Sequence, residues 1–183
     1  MTKHLAFPPL IETTRLYLRR LRYEDAEEIF YAYASKPEAT RYVSWPTHRR
    51  IADTRQYLRY AVSAWNAGTD FAYAIRVKGS ARLAGSIGAV LKGSEVQVGY
   101  IISPALWGSG LATEACKALG NVLLNMKGLT RVWTLVDADN KASVRVLEKC
   151  GWKCEGLKPA YFAFVNQNNQ LKDCYLFVLA SPD

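Results

Sequence analysis

Gly108 and Gly110 stand two apart in Trp107-Gly108-Ser109-Gly110-Leu111-Ala112-Thr113, between a stretch patterned as a strand (95–102) and one patterned as a helix (about 110–127). Glycine lets a chain turn sharply and lets a ligand approach the backbone closely. The first amides of the following helix have no intrahelical acceptor, and the helix dipole adds partial positive charge there. Such a turn suits a phosphate or a diphosphate. No Gly-Lys-Ser/Thr is present, so it is not a nucleoside-triphosphate loop of the Walker type. A third glycine is absent and the preceding strand belongs to a meander, which argues against a dinucleotide-binding fingerprint. The same pattern would also serve a helix packed on a sheet through a glycine-rich connection.

A second constellation is Asn140-x-x-Ser143, heading VRVLEKCGW (144–152). Asn140 is suited to cap a helix, with Ser143 one turn in at the same end. Capping alone accounts for both residues. They would also both face a ligand lying beside the strand that precedes them.

The elements that must position these groups follow from periodicity. Residues 14–21 alternate as a strand, with Arg15 and Arg19 on one face and Leu16 and Leu18 on the other. The arginine cluster of Arg15, Arg19, Arg20 and Arg22 reads as a solvated strand face before an anion patch. Residues 23–34 predict a helix ended by Pro37, and 52–65 predict another stopped at Gly68. Strands are predicted over 71–77, 82–91 and 95–102, forming an antiparallel meander. Gly85 and Gly88 suggest a bulge or a close backbone approach in the second of these. Then come the helix after Gly110, a strand over 131–137, a helix over 141–150, and strands over 152–158 and 171–180 with a turn at 165–170. A meander, a crossover helix and a parallel strand make a mixed α+β sheet in a single domain over residues 1–183.

Composition narrows the function. The chain has 183 residues and a formal net charge of +8, with half of its residues hydrophobic. No apolar run is long enough to span a membrane, and the first residues carry no secretory pattern, so a cytoplasmic protein is expected. The four cysteines contain no C-x-x-C pair, and the two histidines are His4 and His48. No metal site is expected, and the cysteines read as reduced and mostly buried.

IETTRLYLRRL (11–21), RYVSWP (41–46), VGYIISPALWGSGLATEA (98–115), NKASVRVLEKCGWKCEG (140–156) and KDCYLFVL (172–179) occur in the order seen in GNAT-superfamily N-acetyltransferases of the RimJ/RimL type. The chain resembles that branch over nearly its whole length. Trp107 stands where the wider superfamily has Gln or Arg, and Trp-Gly is common in this branch.

The resemblance implies the GNAT acyl-CoA N-acyltransferase fold, an α+β sheet that is predominantly antiparallel and flanked by helices. It implies acetyl-CoA in a cleft where strands 95–102 and 131–137 splay. The pantetheine arm would lie along Tyr100, Ile101 and Ile102, and the diphosphate on amides from Trp107, Gly108, Ser109, Gly110, Leu111, Ala112 and Thr113. Asn140 would contact the cofactor or a water, and Ser143 would protonate the leaving thiolate. Amides around Ile101 and Ile102 would stabilise an oxyanion. Many relatives carry a Glu as base where this chain has Gln97, so Glu95, on the same strand face, becomes the candidate base. Glu114 reads as a first-turn acid that complements the helix dipole. Trp45 and Tyr161 would wall the acceptor site.

The reaction implied is direct attack of a primary amine on acetyl-CoA in a ternary complex. The amine would be a protein N-terminal α-amine, an amino acid or a small molecule. The alternative is an acyl-CoA sensor without chemistry, which Gln97 keeps open. A nucleic-acid-binding domain ranks last, because the arginines are not interleaved with stacking aromatics. A homodimer is compatible with the sequence, which names neither the acceptor nor the assembly.

Overall fold

Leu16 and Leu18 alternate with Tyr17 and Arg19, and that period of two puts both leucines on one face, fully buried. They lie in β2 (Leu16–Arg20), and a short β1 (Leu10–Glu12), which the sequence pattern did not separate out, pairs with it. The computed structural model describes residues 6–180. The meander follows as expected in β3 (Asp70–Val77), β4 (Leu83–Lys92) and β5 (Glu95–Ile102). β6 (Arg131–Asp137) runs parallel to β5. β7 (Lys153–Ala163) and β8 (Leu171–Leu179) form a hairpin in which β8 inserts beside β6. The result is one eight-stranded, mostly antiparallel sheet in the order β1-β2-β3-β4-β5-β6-β8-β7.

The helix expected over 23–34 is composite. A 3-10 turn (Tyr23–Asp25) leads into α1 (Ala26–Ile29) and then a π-helical turn (Phe30–Ala34). That last turn carries Tyr33, buried and hydrogen-bonded to Ser86 of β4. Pro37 does more than end this stretch. It opens a one-turn α2 (Pro37–Thr40), at a position where its missing N–H has no partner to lose. α3 (Ile51–Ala67) closes on Gly68, at φ 73°. α4 (Leu111–Leu124) and α5 (Lys141–Lys149) complete the set, α4 a turn shorter than its pattern predicts.

Strand alternation divides the core in two. Val96, Val98 and Ile102 of β5 pack with Leu111, Ala115, Leu119 and Leu123 of α4 and Leu147 of α5. Ile101, on the opposite face of the same strand, packs with Ile29, Leu58 and Ala61 of α1 and α3. Gly85 combines both features read from its position. The β3–β4 register slips between Ile75 and Arg76 opposite it, and a Cβ there would lie 2.0 Å from the Ile101 carbonyl oxygen.

The arginine-rich strand is not simply a solvated face. Arg19 grips Asp25 through both nitrogens (2.5 and 2.9 Å), and Arg76 adds a third contact at 3.0 Å. Burial alone would raise the Asp25 carboxyl. The Arg19 guanidinium, the Arg22 amide and Arg76 overcome it and hold the carboxyl below its ordinary value. A depressed carboxylate stabilises the fold above its unfolded pKa, and that contribution is lost as pH falls through the folded value. Asp25→Asn is therefore expected to cost about 2 kcal/mol at neutral pH and less at an acidic pH below the ordinary carboxylate range. Urea unfolding at both pH values checks this, and an equal loss at both would refute it.

Candidate active site

β5 and β6 pair only over Glu95–Gln97 with Arg131–Trp133. Beyond that the two strands separate. Thr134 stands at the fork, its buried Oγ1 donating to the Val98 carbonyl at 2.7 Å. The amide of Ser103 donates to Ala84 of β4, so by strand alternation Ile101 and Gly99 also direct their backbone groups at β4. Val98, Tyr100 and Ile102 direct theirs into the gap. This corrects the expectation for Ile101, whose amide belongs to the β4–β5 ladder, while the Ile102 amide faces the opening. The Ile102 carbonyl accepts from Trp107 Nε1 at 2.9 Å, which gives that exposed indole a structural task at the end of the strand.

Tyr100 and Ser143 meet across the fork. The phenol oxygen lies 2.7 Å from Ser143 Oγ, joining the free edge of β5 to the first turn of α5. Asn140 caps α5, its Oδ1 accepting from the Ser143 amide at 3.1 Å, so the cap itself holds Ser143 in place. Burial pushes the Tyr100 phenol well above its ordinary pKa, so it stays protonated and remains a donor at neutral pH. The Tyr100 hydroxyl was missed by sequence reasoning, which used only the backbone of that residue. Its parity with Val98 and Ile102, both directed at α4, was the available signal.

The glycine turn leads into α4 with Gly108 at φ 74° and Gly110 at φ 78°, conformations that suit glycine. Among the described residues, the amides of residues 108–113 find no acceptor in the protein. Residues 107–110 are exposed. This is a cradle of donors at a helix N-terminus, open at the mouth of the fork. Glu114 does more than complement the dipole. It accepts from Thr13 Oγ1 (2.6 Å), the Arg15 amide (2.8 Å) and Arg15 Nε (2.6 Å), and these contacts hold its carboxyl below the ordinary range against the opposing effect of burial.

The other expected residues are not all brought to the fork. Glu95 sits at its closed end, where β5 and β6 still pair, roughly 16 Å along the strand from Tyr100. Trp45 packs beside His48 and Tyr57, with ring centroids 5.0 and 6.5 Å away. Its loop is tied to the β7–β8 turn by Asn166, whose Nδ2 donates to the carbonyls of Thr40 (2.7 Å) and Trp45 (2.9 Å) and whose Oδ1 accepts from the Thr47 amide (2.9 Å). The sequence pattern over 165–170 predicts only a turn and does not single out Asn166. Tyr161 is 56% exposed in an irregular part of edge strand β7 and takes no part in that network.

Among the described residues no group of three or more His, Cys, Asp or Glu could hold a metal; His4 lies outside them. The cysteines are free, with Cys116 and Cys174 buried, Cys150 half-buried and Cys154 exposed. A cavity of about 290 Å³ lined by Cys116, Cys150 and Trp152 shares no residue with the fork.

The family described as Acetyltransferase (GNAT) domain matches residues 15–153, spanning both the fork and the donor cradle. The chain belongs to the GNAT acetyltransferase family. It is accordingly an acetyl-CoA-dependent N-acetyltransferase. A relative described as uncharacterized N-acetyltransferase YoaA, from Bacillus subtilis strain 168, is 29% identical over 177 residues, covering 95% of this chain and 98% of its own. The same GNAT fold occurs in a putative ribosomal-protein-serine acetyltransferase from Vibrio cholerae (TM-score 0.81, 22% identity, 96% of this chain and 100% of that one). It occurs also in RimL, the ribosomal L7/L12 alpha-N-protein acetyltransferase, in complex with coenzyme A (TM-score 0.83, 17% identity, 93% and 97%). No helix among the described residues is long and apolar enough to cross a membrane.

Proposed function

We propose that this GNAT enzyme transfers acetyl to a primary amine by direct attack within a ternary complex, with Ser143 as the proton donor to the departing thiolate and Tyr100 as its partner. The observation that carries this reading is the 2.7 Å contact between Ser143 and Tyr100, which lies on the strand leading to the donor cradle. The amine nitrogen bonds to the thioester carbon and the C–S bond breaks. The sulfur takes a proton from Ser143 Oγ, and the proton that the attacking nitrogen loses to solvent is returned to that oxygen, so the serine ends as it began. Tyr100 donates to Ser143 Oγ, which leaves the serine proton free to point at sulfur. The Ile102 amide, free at the β5 edge, is suited to stabilise charge developing on the carbonyl oxygen. Residues 108–113 would hold the diphosphate, and the amide and carbonyl of Tyr100 with the amide of Ile102 offer the pantetheine arm a short open stretch of strand edge. Glu95 is left out as base on grounds of distance.

The acceptor class favoured is a protein N-terminal α-amine, supported by fold neighbours described as ribosomal-protein acetyltransferases. The continuous sheet supports one domain, and the four free cysteines support a cytoplasmic location. Thiol release from acetyl-CoA, measured across peptides with free N-termini, amino acids and small amines, tests the reading. Turnover of at least one amine is expected. Tight CoA binding without turnover of any would favour the sensor alternative.

The Trp45 loop and the Asn166 tether form the acceptor wall in this proposal. Asn166→Ala is expected to raise the acceptor KM about 10-fold by loosening a positioned loop, while the Kd for CoA stays within about 2-fold. Equal losses on both sides would show a general folding defect instead.

A further inference from the structure

Arg15 reaches the diphosphate turn from the far end of the chain. Its Nε donates to Glu114 at 2.6 Å, and one terminal nitrogen donates to the Ser109 carbonyl at 3.0 Å. The other terminal nitrogen would lie 3.5 Å from a Cβ placed on Gly110. Arg15 is thus folded over the turn, its backbone amide and the Thr13 hydroxyl bonded to the same Glu114 carboxylate.

Two physical consequences follow. In a trans peptide the carbonyl oxygen and the next amide hydrogen point in opposite directions. Holding the Ser109 carbonyl toward Arg15 therefore turns the Gly110 amide the other way. That matters here because this peptide is followed by Gly110, and a peptide unit that leads into a glycine flips at little steric cost. The second consequence is electrostatic. Glu114 places a carboxylate one turn into the helix whose N-terminus must accept an anion. Unneutralised, it would repel a diphosphate. The Arg15 guanidinium cancels that charge and leaves further N–H groups free at the mouth of the turn.

We propose that Arg15 is a positioning residue for acetyl-CoA, one that locks the Ser109–Gly110 peptide with its amide toward the cofactor diphosphate and screens that diphosphate from Glu114. The inference rests on acetyl-CoA as the donor but requires neither the acceptor nor the proton donor assigned above.

Equilibrium binding provides the test, because it needs no acceptor. The Kd of CoA and of dephospho-CoA, which keeps the diphosphate but lacks the 3′-phosphate, would be measured by calorimetry for the parent, Arg15→Ala, Arg15→Lys and Arg15→Ala/Glu114→Gln proteins. Arg15→Ala is expected to weaken both ligands by a similar factor, about 10-fold. Arg15→Lys keeps the charge but cannot span both Glu114 and Ser109, so its loss falls between. The double variant recovers part of the Arg15→Ala loss, since the repelling carboxylate is gone. Unchanged affinity in Arg15→Ala, or a loss confined to CoA, would overturn the assignment. So would a double variant weaker than Arg15→Ala. Thermal unfolding of each protein shows whether it is folded, and Arg15→Lys, which keeps the ion pair with Glu114, carries the test if Arg15→Ala does not fold. A parent protein that binds CoA but acetylates nothing would sink the proposed function and leave this inference standing.

Discussion

Ser143→Ala is expected to lower kcat roughly 10- to 1000-fold while leaving the Kd for CoA nearly unchanged, reaching into the lower decade of general-acid effects. Among the described residues, the Ser143 hydroxyl is within hydrogen-bond reach of one other side-chain oxygen, that of Tyr100 at 2.7 Å. The backbone amide of Ser143 remains bound to Asn140 in the alanine variant, so the α5 cap survives and the effect isolates the hydroxyl. Tyr100→Phe removes the partner but keeps the serine proton, and a smaller loss of about 10-fold is expected. If the two residues act as one unit, the double variant will be little worse than Ser143→Ala alone. Steady-state kinetics with an amine found in the thiol-release panel decides the matter. A mild Ser143→Ala variant beside a severe Tyr100→Phe variant would move the proton-donor role to the phenol. Unchanged kcat in both would remove the pair from the reaction.

The largest loss of stability is expected from Gly85→Ala. A Cβ at that position would lie 2.0 Å from the Ile101 carbonyl oxygen and 3.0 Å from the Ile102 Cα, both backbone atoms of the neighbouring strand. No rotamer change relieves such a clash, so one strand must shift. The expected cost is about 3 kcal/mol or more, at the upper end of overpacking effects. The damage would not stay local, because Ile102 lines the open edge of the fork and Ile101 packs against α1 and α3. CoA affinity should fall along with stability. Denaturant unfolding together with CoA calorimetry measures both, and a stability change below about 0.5 kcal/mol would show that the strands can part at no cost.

Much of this molecule was legible in local pattern. The boundaries of β5 and β6 agree with the periodicity, and the stop at Gly68 and the cap at Asn140 are as read. Gly85 was correctly marked, since a glycine inside a strand signals a bulge or a close neighbour whichever strand supplies it. The composite helix over 23–34 was not legible. Its π-helical turn accompanies Tyr33 packing against Ser86, a residue 53 positions away. Arg15 and Arg19 looked like a charged outer face because strand parity shows which side a residue takes and not what stands opposite it.

The glycine turn and the helix cap that holds Ser143 are local features, each written in residues within a turn or two of one another, and the family is legible from five segments spread in order along the chain. Which groups meet was decided only by the tertiary structure. Tyr100 reaches Ser143 across 43 residues, Arg15 reaches Glu114 across 99, and Asn166 reaches Thr47 across 119. These encounters follow from sheet register and from the point at which β5 and β6 part. That point lies just past Gln97 and Trp133, where the Thr134 hydroxyl takes up the Val98 carbonyl, and no local periodicity carries that information.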